Sequence, residues 1–157
     1  STDNSDDANK AALLTALKEL TPDRLLRACA HWDVSLMYNM QGTFENCVSF
    51  NEPLSGWNTS NLRVASAMFY NASSFNQDLS MWDISSLEEA VNMFFGTSLS
   101  TANYDKILVG WAAQAPNIQS NVNFSGNPCQ YTDAVSGAAR ALLVNTYGWT
   151  ITDLGPI

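Results

Sequence analysis

The sequence predicts an α/β fold in which 25-residue repeats stack into a short solenoid, with a helical segment and a strand in each repeat. Tryptophans stand 25 residues apart and are followed by similar neighbours: Trp32, Trp57 and Trp82. Residues 50–74 agree with residues 75–99 at 11 of 25 positions. Because one such unit cannot bury its apolar face alone, a repeat of this length is typical of chains whose units stack into a continuous core.

The spacing of apolar residues changes within each repeat. Apolar residues first recur at intervals of three and four, which predicts one buried helical face. They are Leu62, Ala65, Met68, Phe69 and Ala72 in one repeat, and Leu87, Ala90, Met93 and Phe94 in the next. Residues 79–84 then alternate as a short strand does. We expect the strands of successive repeats to form a parallel ladder.

The first 31 residues predict a helical N-terminal cap on the repeats, which occupy residues 32–99. Apolar residues at helical spacing predict one helix over residues 8–20. Thr21, Pro22 and Asp23 are typical of the start of a second, short helix. A cap is expected because the first repeat would otherwise expose its apolar face to water.

Residues 100–157 predict an α/β C-terminal cap, which completes a single domain over residues 1–157. The predicted elements are, in order, a helix over 102–114, a strand over 121–125, a helix from 132 that ends at Gly148, and a strand over 149–153.

Charge and hydropathy exclude two classes of partner. Seven Lys and Arg against fifteen Asp and Glu give a net charge of -8. Such an acidic chain repels phosphates, so nucleic acid is not an expected partner. No apolar stretch approaches the roughly 20 residues that span a bilayer, so we expect no membrane insertion of this segment.

Several features predict an extracellular or cell-surface location. The start lacks Met and indicates a processed or truncated end. Three Asn-x-Ser/Thr sequons, at Asn58, Asn71 and Asn123, are candidate glycosylation sites if the source is eukaryotic. In an oxidising compartment the favoured disulfide joins Cys29 to Cys47. Three buried thiols, with Cys129, are the alternative.

Asp33, Asn58 and Asp83 occupy the same position in successive repeats and are the candidate ligand-binding residues. Stacked repeats would bring them into a row of oxygen ligands for calcium or a sugar. Such side chains also bond to nearby backbone and shape turns, which is the favoured interpretation.

Two further sets of repeated residues have structural interpretations. Asn51 and Asn76 are expected to form an internal asparagine ladder. The repeated tryptophans would offer a sugar-binding platform if exposed, but the regular repeat favours a place in the core.

The sequence gives little support for a catalytic site or a metal site. His31 is the single histidine, and a Cys29–His31 nucleophile needs both side chains in one cleft. A zinc site from Cys29, His31, Cys47 and a carboxylate matches no usual spacing. Acidic pairs such as Glu88 and Glu89 show no sign of a surrounding pocket. We expect no enzyme activity, no cofactor and no metal.

Two stretches resemble the repeat of BspA-like leucine-rich-repeat surface proteins, typically written F-N-Q-x-L-S-x-W-D-V-S-x-V-x-x-M-x-x-M-F-x-x-A. They are residues 50–57 and 75–85, with Met68, Phe69 and Ala72 between them. Residues 103–111, 138–140 and 147–153 resemble the module that closes such arrays. Met37, Met40 and Thr59 depart from the usual repeat.

The resemblance implies a right-handed, leucine-rich-repeat-like solenoid, secreted or displayed on a surface, with no catalytic residue set. We therefore expect a non-enzymatic recognition or adhesion module that binds a surface protein or glycan through the solenoid face. The alternative is a structural subunit of a larger surface assembly, formed by self-association. Sealed caps would favour recognition, whereas exposed apolar residues on a cap would favour assembly.

Overall fold

The computed structural model describes residues 8–13 and 29–157. Residues 8–13 are helical, as the sequence predicts, while the rest of that helix and the second short helix lie outside the described residues. The remaining elements are a 3-10 turn (Cys29–His31), β1 (Glu89–Ala90), a long helix (Thr101–Ala112), β2 (Asn123–Ser125), a C-terminal helical run with π-helical ends (Asp133–Gly137, Ala138–Ala141, Leu142–Thr146) and β3 (Thr150–Thr152).

The predicted fold class, a right-handed solenoid of helix–strand repeats, is wrong. Residues 32–99 contain no helix and consist of turns, with β1 as their single strand. The predicted strand over 79–84 is irregular, and parallel bridges instead join Asn39 to Val64 and Val64 to Glu89, inside the segments predicted to be helical. The observed sheet is small, with three parallel strands in the order β1-β2-β3.

Left-handed backbone explains why the apolar spacing is not helical. Each repeat holds two residues with positive φ, four positions apart, and such residues interrupt a right-handed helix. They are Gly42 and Asn46, Ala67 and Asn71, and Asn92 and Gly96. The chain turns tightly between them, so intervals of three and four residues place side chains in the core without the i→i−4 bonds of an α-helix. The local bonds join residues three apart, as in Met68 N to Ala65 O at 3.1 Å.

Backbone bonds that run between repeats join each repeat to the next, in addition to the local bonds of the turns. Phe44 N donates to Met68 O at 2.8 Å, and Phe69 N donates to Met93 O at 3.0 Å. The ring centroids of Phe44 and Phe69 lie 5.5 Å apart, and those of Phe69 and Phe94 lie 5.9 Å apart. Equivalent residues are therefore neighbours in successive layers, each layer being one 25-residue repeat.

The tryptophans tie the layers together. Trp57 and Trp82 stack with ring centroids 6.1 Å apart. Each indole N–H donates to a carbonyl 28 residues earlier, Trp57 to Cys29 O at 2.9 Å and Trp82 to Leu54 O at 3.0 Å. The same bond thus satisfies the buried indole nitrogen of both Trp57 and Trp82.

The C-terminal segment contains the elements predicted for it. The long helix begins after Ser100, whose hydroxyl accepts from Asn103 N at 3.2 Å. The predicted strands correspond to β2 and β3, and Gly148 follows the C-terminal helical run with a φ of +70°. Phe124 of β2 contacts Phe94 of the last layer edge-on at 6.1 Å.

A buried ion pair holds the end of the chain. Arg140 donates to both oxygens of Asp153, at 2.9 and 3.1 Å, and the Asp153 side chain is 1% exposed. The Tyr104 hydroxyl of the long helix donates to the same carboxylate at 2.7 Å. Burial and the nearby Asp153 charge raise the pKa of Tyr104, so it stays protonated and donates.

We expect Ala67→Gly to raise the free energy of unfolding by about 0.5–1 kcal/mol, because Ala67 has a φ of +54° that costs an L residue energy and glycine none. Urea denaturation measures the change. The matched control, Gly96→Ala, is expected to destabilise, because φ is +77° there and a Cβ would collide with the Asn71 side chain. Equal effects of the two substitutions would contradict this account of the turns.

We expect Asp153→Asn to lower the free energy of unfolding by about 3 kcal/mol, because it leaves the charge of Arg140, whose side chain is 22% exposed, without its partner. Glu88→Gln removes the exposed Arg63–Glu88 pair, whose atoms lie 3.1 Å apart at the surface, and is expected to change stability little. Denaturant titration of both variants provides the comparison, and a similar loss in both would refute it.

Candidate recognition surface

Asp33, Asn58 and Asp83 are all exposed. Hydrogen bonds between neighbouring layers flank them, since Asn61 Nδ2 donates to Ser35 O at 2.6 Å and Ser86 Oγ donates to Ser60 O at 2.7 Å. The three residues therefore occupy the same exposed position in successive layers, and we call them the acidic row.

Each residue of the acidic row also shapes its own turn. Asp33 accepts from the backbone and hydroxyl of Ser35, at 3.0 and 2.6 Å, and these bonds hold its pKa below the usual value. Asn58 accepts from Ser60 in the same way, and Asp83 accepts from the Ser85 backbone at 2.9 Å. The predicted turn role is confirmed, and binding of calcium or a sugar stays a prediction.

The repeated tryptophans belong to the core. Trp57 and Trp82 are 5% and 1% exposed, and Trp32 is half-buried against the core. The preferred interpretation is confirmed for Trp57 and Trp82, whose faces are closed to a sugar ring.

The predicted asparagine ladder is present and extends into the C-terminal segment, but Asn51 is exposed and not internal. Asn51 Oδ1 accepts from Asn76 N at 2.8 Å, and Asn76 Oδ1 accepts from Ser100 N at 2.9 Å. Asn103 Nδ2 donates to the same oxygen at 2.9 Å. The side chain of Asn103 thus takes the place that a further layer would occupy.

Side chains from the C-terminal segment seal the edge of the last layer. Trp111 Nε1 donates to Leu79 O at 2.9 Å and continues the series of indole bonds. Gln114 accepts from Ile84 N at 2.9 Å and donates to Trp82 O at 2.7 Å, while Gln119 donates to Ser85 O at 2.9 Å. The bonds at Leu79 O and Ser85 O take the place of the bonds that Leu54 O and Ser60 O make with the next layer.

An open groove of ≈ 950 Å³ lies between the last layer and the long helix. Three apolar residues on its lining are exposed: Met81 at 77%, Val109 at 42% and Val135 at 60%. Asp83 lines the same groove, so the acidic row ends at an apolar surface. Sequence reasoning missed this groove, because its walls come from segments with no shared period.

Cys29 and His31 do not share a cleft. The Cys29 side chain is buried and His31 is exposed. Burial, with a contribution from Glu52, raises the pKa of Cys29 to about 12, which disfavours the thiolate that a nucleophile needs. The part of the chain that the structure describes contains no cluster of His, Cys, Asp or Glu able to hold a metal ion.

The other candidate sites stay predictions. Cys29, Cys47 and Cys129 are thiols in this structure, so a Cys29–Cys47 disulfide is untested as a property of the protein. The sequon residues Asn58, Asn71 and Asn123 are exposed. Among residues 8–13 and 29–157, no helix has the length and apolar character needed to cross a bilayer.

Stability is expected to fall as pH rises from about 9 to about 12. Burial first, and then Asp153, raises the pKa of Cys129 from 9.0 to about 12, so the unfolded chain releases this proton before the folded chain does. The loss per thiol is at most about 1.4 kcal/mol per pH unit. Urea titrations at several alkaline pH values under reducing conditions should show a shallower pH slope for Cys129→Ala. An unchanged slope would show that Cys129 ionises alike in both states.

The comparisons with known proteins give a family and no activity. Residues 20–114, more than half of the chain, match the model of a family described as "Mycoplasma protein of unknown function, DUF285". No curated protein and no solved structure matches the chain. The matched residues include every layer of the repeats and the whole of the long helix, and on that match the chain belongs to the DUF285 family.

Proposed function

We propose that this chain is a non-enzymatic recognition or adhesion module, secreted or held at a cell surface, that binds a surface protein or a glycan through the exposed side of its stacked layers. The observation that carries the proposal is the sealing of the last layer by Trp111, Gln114 and Gln119. Because the backbone groups of this edge already have partners, it is a poor template for the addition of another chain, and we place the partner on the repeated side chains of the flank.

The acidic row suits such a role because its geometry is set before a ligand arrives. Asp33, Asn58 and Asp83 are held by bonds within their turns, and the turns are held by bonds between layers. A ligand that contacts the row therefore meets side chains that have already lost most of their conformational freedom. The net charge of -8 argues against nucleic acid as that ligand.

The resemblance to BspA-like surface proteins supports the location and the adhesive role. It rests on the motif at residues 50–57 and 75–85, and on the closing module at the C-terminal end. Glycosylation at Asn58, Asn71 or Asn123 and a Cys29–Cys47 disulfide would be compatible with a secreted chain.

Probing an array of surface proteins and glycans, with and without calcium, tests the proposal. The variants Asp33→Asn and Asp83→Asn keep the oxygen that shapes each turn and remove the charge. We expect the double variant to weaken a specific interaction about ten-fold or more, because a partner held by the row loses two carboxylates. Gln130→Ala, at an exposed position outside the repeats, serves as the control and should leave binding unchanged.

A structural subunit is the second candidate, and the groove is the observation that favours it. Met81, Val109 and Val135 expose apolar surface beside the sealed edge. If every array stays silent while light scattering shows concentration-dependent oligomers that Val135→Asp abolishes, the recognition proposal fails and the assembly alternative replaces it.

A further inference from the structure

The groove between the last layer and the long helix is lined by three separate segments. One face of the long helix supplies most of the lining, with small or apolar residues and one lysine. These residues are Ala102, Lys106, Val109, Gly110 and Ala113. Met81 of the last layer and Val135 of the C-terminal helical run add exposed apolar side chains to the same lining.

The shape of the groove is set by direct contact between the long helix and the last layer. A Cβ at Gly110 would lie 2.6 Å from Ser80 O, so a side chain there would force the helix away from this turn. Just beyond the helix, Gln114 bonds to Trp82 O and Ile84 N. The groove is therefore formed before any partner arrives, which lowers the entropic cost of binding.

The backbone groups beside the groove favour a helical occupant. Leu79 O accepts from Trp111 Nε1, Trp82 O accepts from Gln114, and residues 101–112 are bonded within the long helix. An extended segment would gain little backbone pairing here, whereas a helix satisfies its own backbone groups. The apolar face of an amphipathic helix suits such a groove.

The openness of the groove argues against a small molecule as its occupant. A small-molecule site buries most of the surface of its ligand. Met81, Val109 and Val135 are themselves exposed, so they do not enclose a ligand on all sides. An open groove of ≈ 950 Å³ is instead suited to side chains from one face of a larger partner.

The charges of the groove indicate the charge of the partner. The carboxylate of Asp83 is exposed, and no Lys or Arg of the described residues forms an ion pair with it. Lys106 Nζ already lies 4.0 Å from Asp78 Oδ2. Asp105 is buried and bonded within the C-terminal segment. A basic residue of the partner therefore complements Asp83, whereas a second copy of this chain, with its charge of -8, is repelled.

We propose that this groove binds a basic amphipathic helix of a partner protein. The apolar face of that helix packs on Met81, Val109 and Val135, and a Lys or Arg at its border faces Asp83. The inference rests on the proposed recognition function, since it takes the groove as a surface for a partner and not for self-assembly. It adds a site that shares only Asp83 with the acidic row.

The test uses a fluorescein-labelled peptide of about 18 residues, a length at which an isolated helix can form. The peptide consists of Leu, Ala and Lys, with Leu on one helical face and Lys along its borders. One comparison peptide has the same composition in an order that gives no apolar face, and another has Glu in place of Lys. Fluorescence anisotropy measures the affinity of each peptide for the full chain.

The double variant Val109→Ser/Val135→Ser removes apolar surface from the groove without changing its charge. Val48→Ser is the matched control, because Val48 is 58% exposed, close to the 60% of Val135, and lies outside the groove. Serine already occupies this repeat position in the next two layers, as Ser73 and Ser98. Thermal denaturation checks that each variant folds.

We expect the basic peptide to bind more tightly than both comparison peptides. Its affinity should fall about ten-fold or more in the double variant and stay unchanged in Val48→Ser. Asp83→Asn should weaken the same interaction and reduce its dependence on salt, because a charge pair is lost.

Methyl NMR locates the peptide without any substitution, so the test stands even if the double variant does not fold. The chain has five methionines, and Met81 is 77% exposed. The other four are buried in the core: Met37, Met40, Met68 and Met93. With the methionine methyl groups labelled, the basic peptide should shift the signal of Met81 far more than the other four.

Four outcomes would overturn the inference. They are equal affinity for the comparison peptides, binding that the double variant leaves intact, a Met81 methyl signal that does not shift, and concentration-dependent oligomers of the chain that Val135→Ser abolishes. The last would assign the groove to a second copy. Asp33→Asn changes the acidic row alone, so it should weaken a ligand of the row and leave peptide binding unchanged. The two proposals therefore fail separately.

Discussion

Backbone hydrogen bonding between residues in successive layers is the constraint on which this structure depends. Within the repeats these bonds connect positions 24 residues apart, as in Met40 N to Val64 O and Ala65 N to Glu89 O, and they replace the local bonds of a helix. A layer by itself contains only one of the two partners of each of these bonds. The residues with positive φ, the stacked aromatic rings of the core and the acidic row all follow from this constraint. Each of them is one position of the repeat that recurs in successive layers.

Four features were predictable from sequence. The repeat period, the core tryptophans and the asparagine ladder depend on which residues recur, and the C-terminal elements follow from ordinary helix and strand patterns. The conformation within a repeat was not. Apolar residues recur every three or four positions both in a helix with one buried face and in a chain of tight turns. This spacing therefore does not distinguish the two conformations. Asparagine tolerates positive φ, so the turns could have been inferred from Asn46, Asn71 and Asn92. Ala67 also has a positive φ, but nothing in the sequence indicates it.

The candidate surfaces were predictable in part. The acidic row follows from the period, whereas the groove depends on how the long helix packs and cannot be inferred from repeat position. The rings of Tyr70 and Phe95, which stack with centroids 5.3 Å apart at the surface, did have a signal in the sequence, because the two aromatic residues are 25 positions apart. Whether such a pair is buried or exposed depends on the direction of the turn that carries it, and the turns were misassigned. Arg140 and Asp153 lie in stretches that resemble the closing module, but their ion pair was not predictable, because no spacing rule joins these two segments.

The bonds made by Gln114 have a consequence for how such chains change in length. Gln114 bonds to the backbone on either side of Asp83, at Trp82 O and Ile84 N. These bonds depend on the backbone conformation of the layer and not on its side chains. Any repeat with this backbone conformation can therefore be the last layer before the long helix. Duplication or deletion of whole 25-residue units would leave the closing contacts intact, whereas a gain of a single residue would shift every bond beyond it. The number of layers can thus vary in evolution while the contacts that close the C-terminal end stay the same.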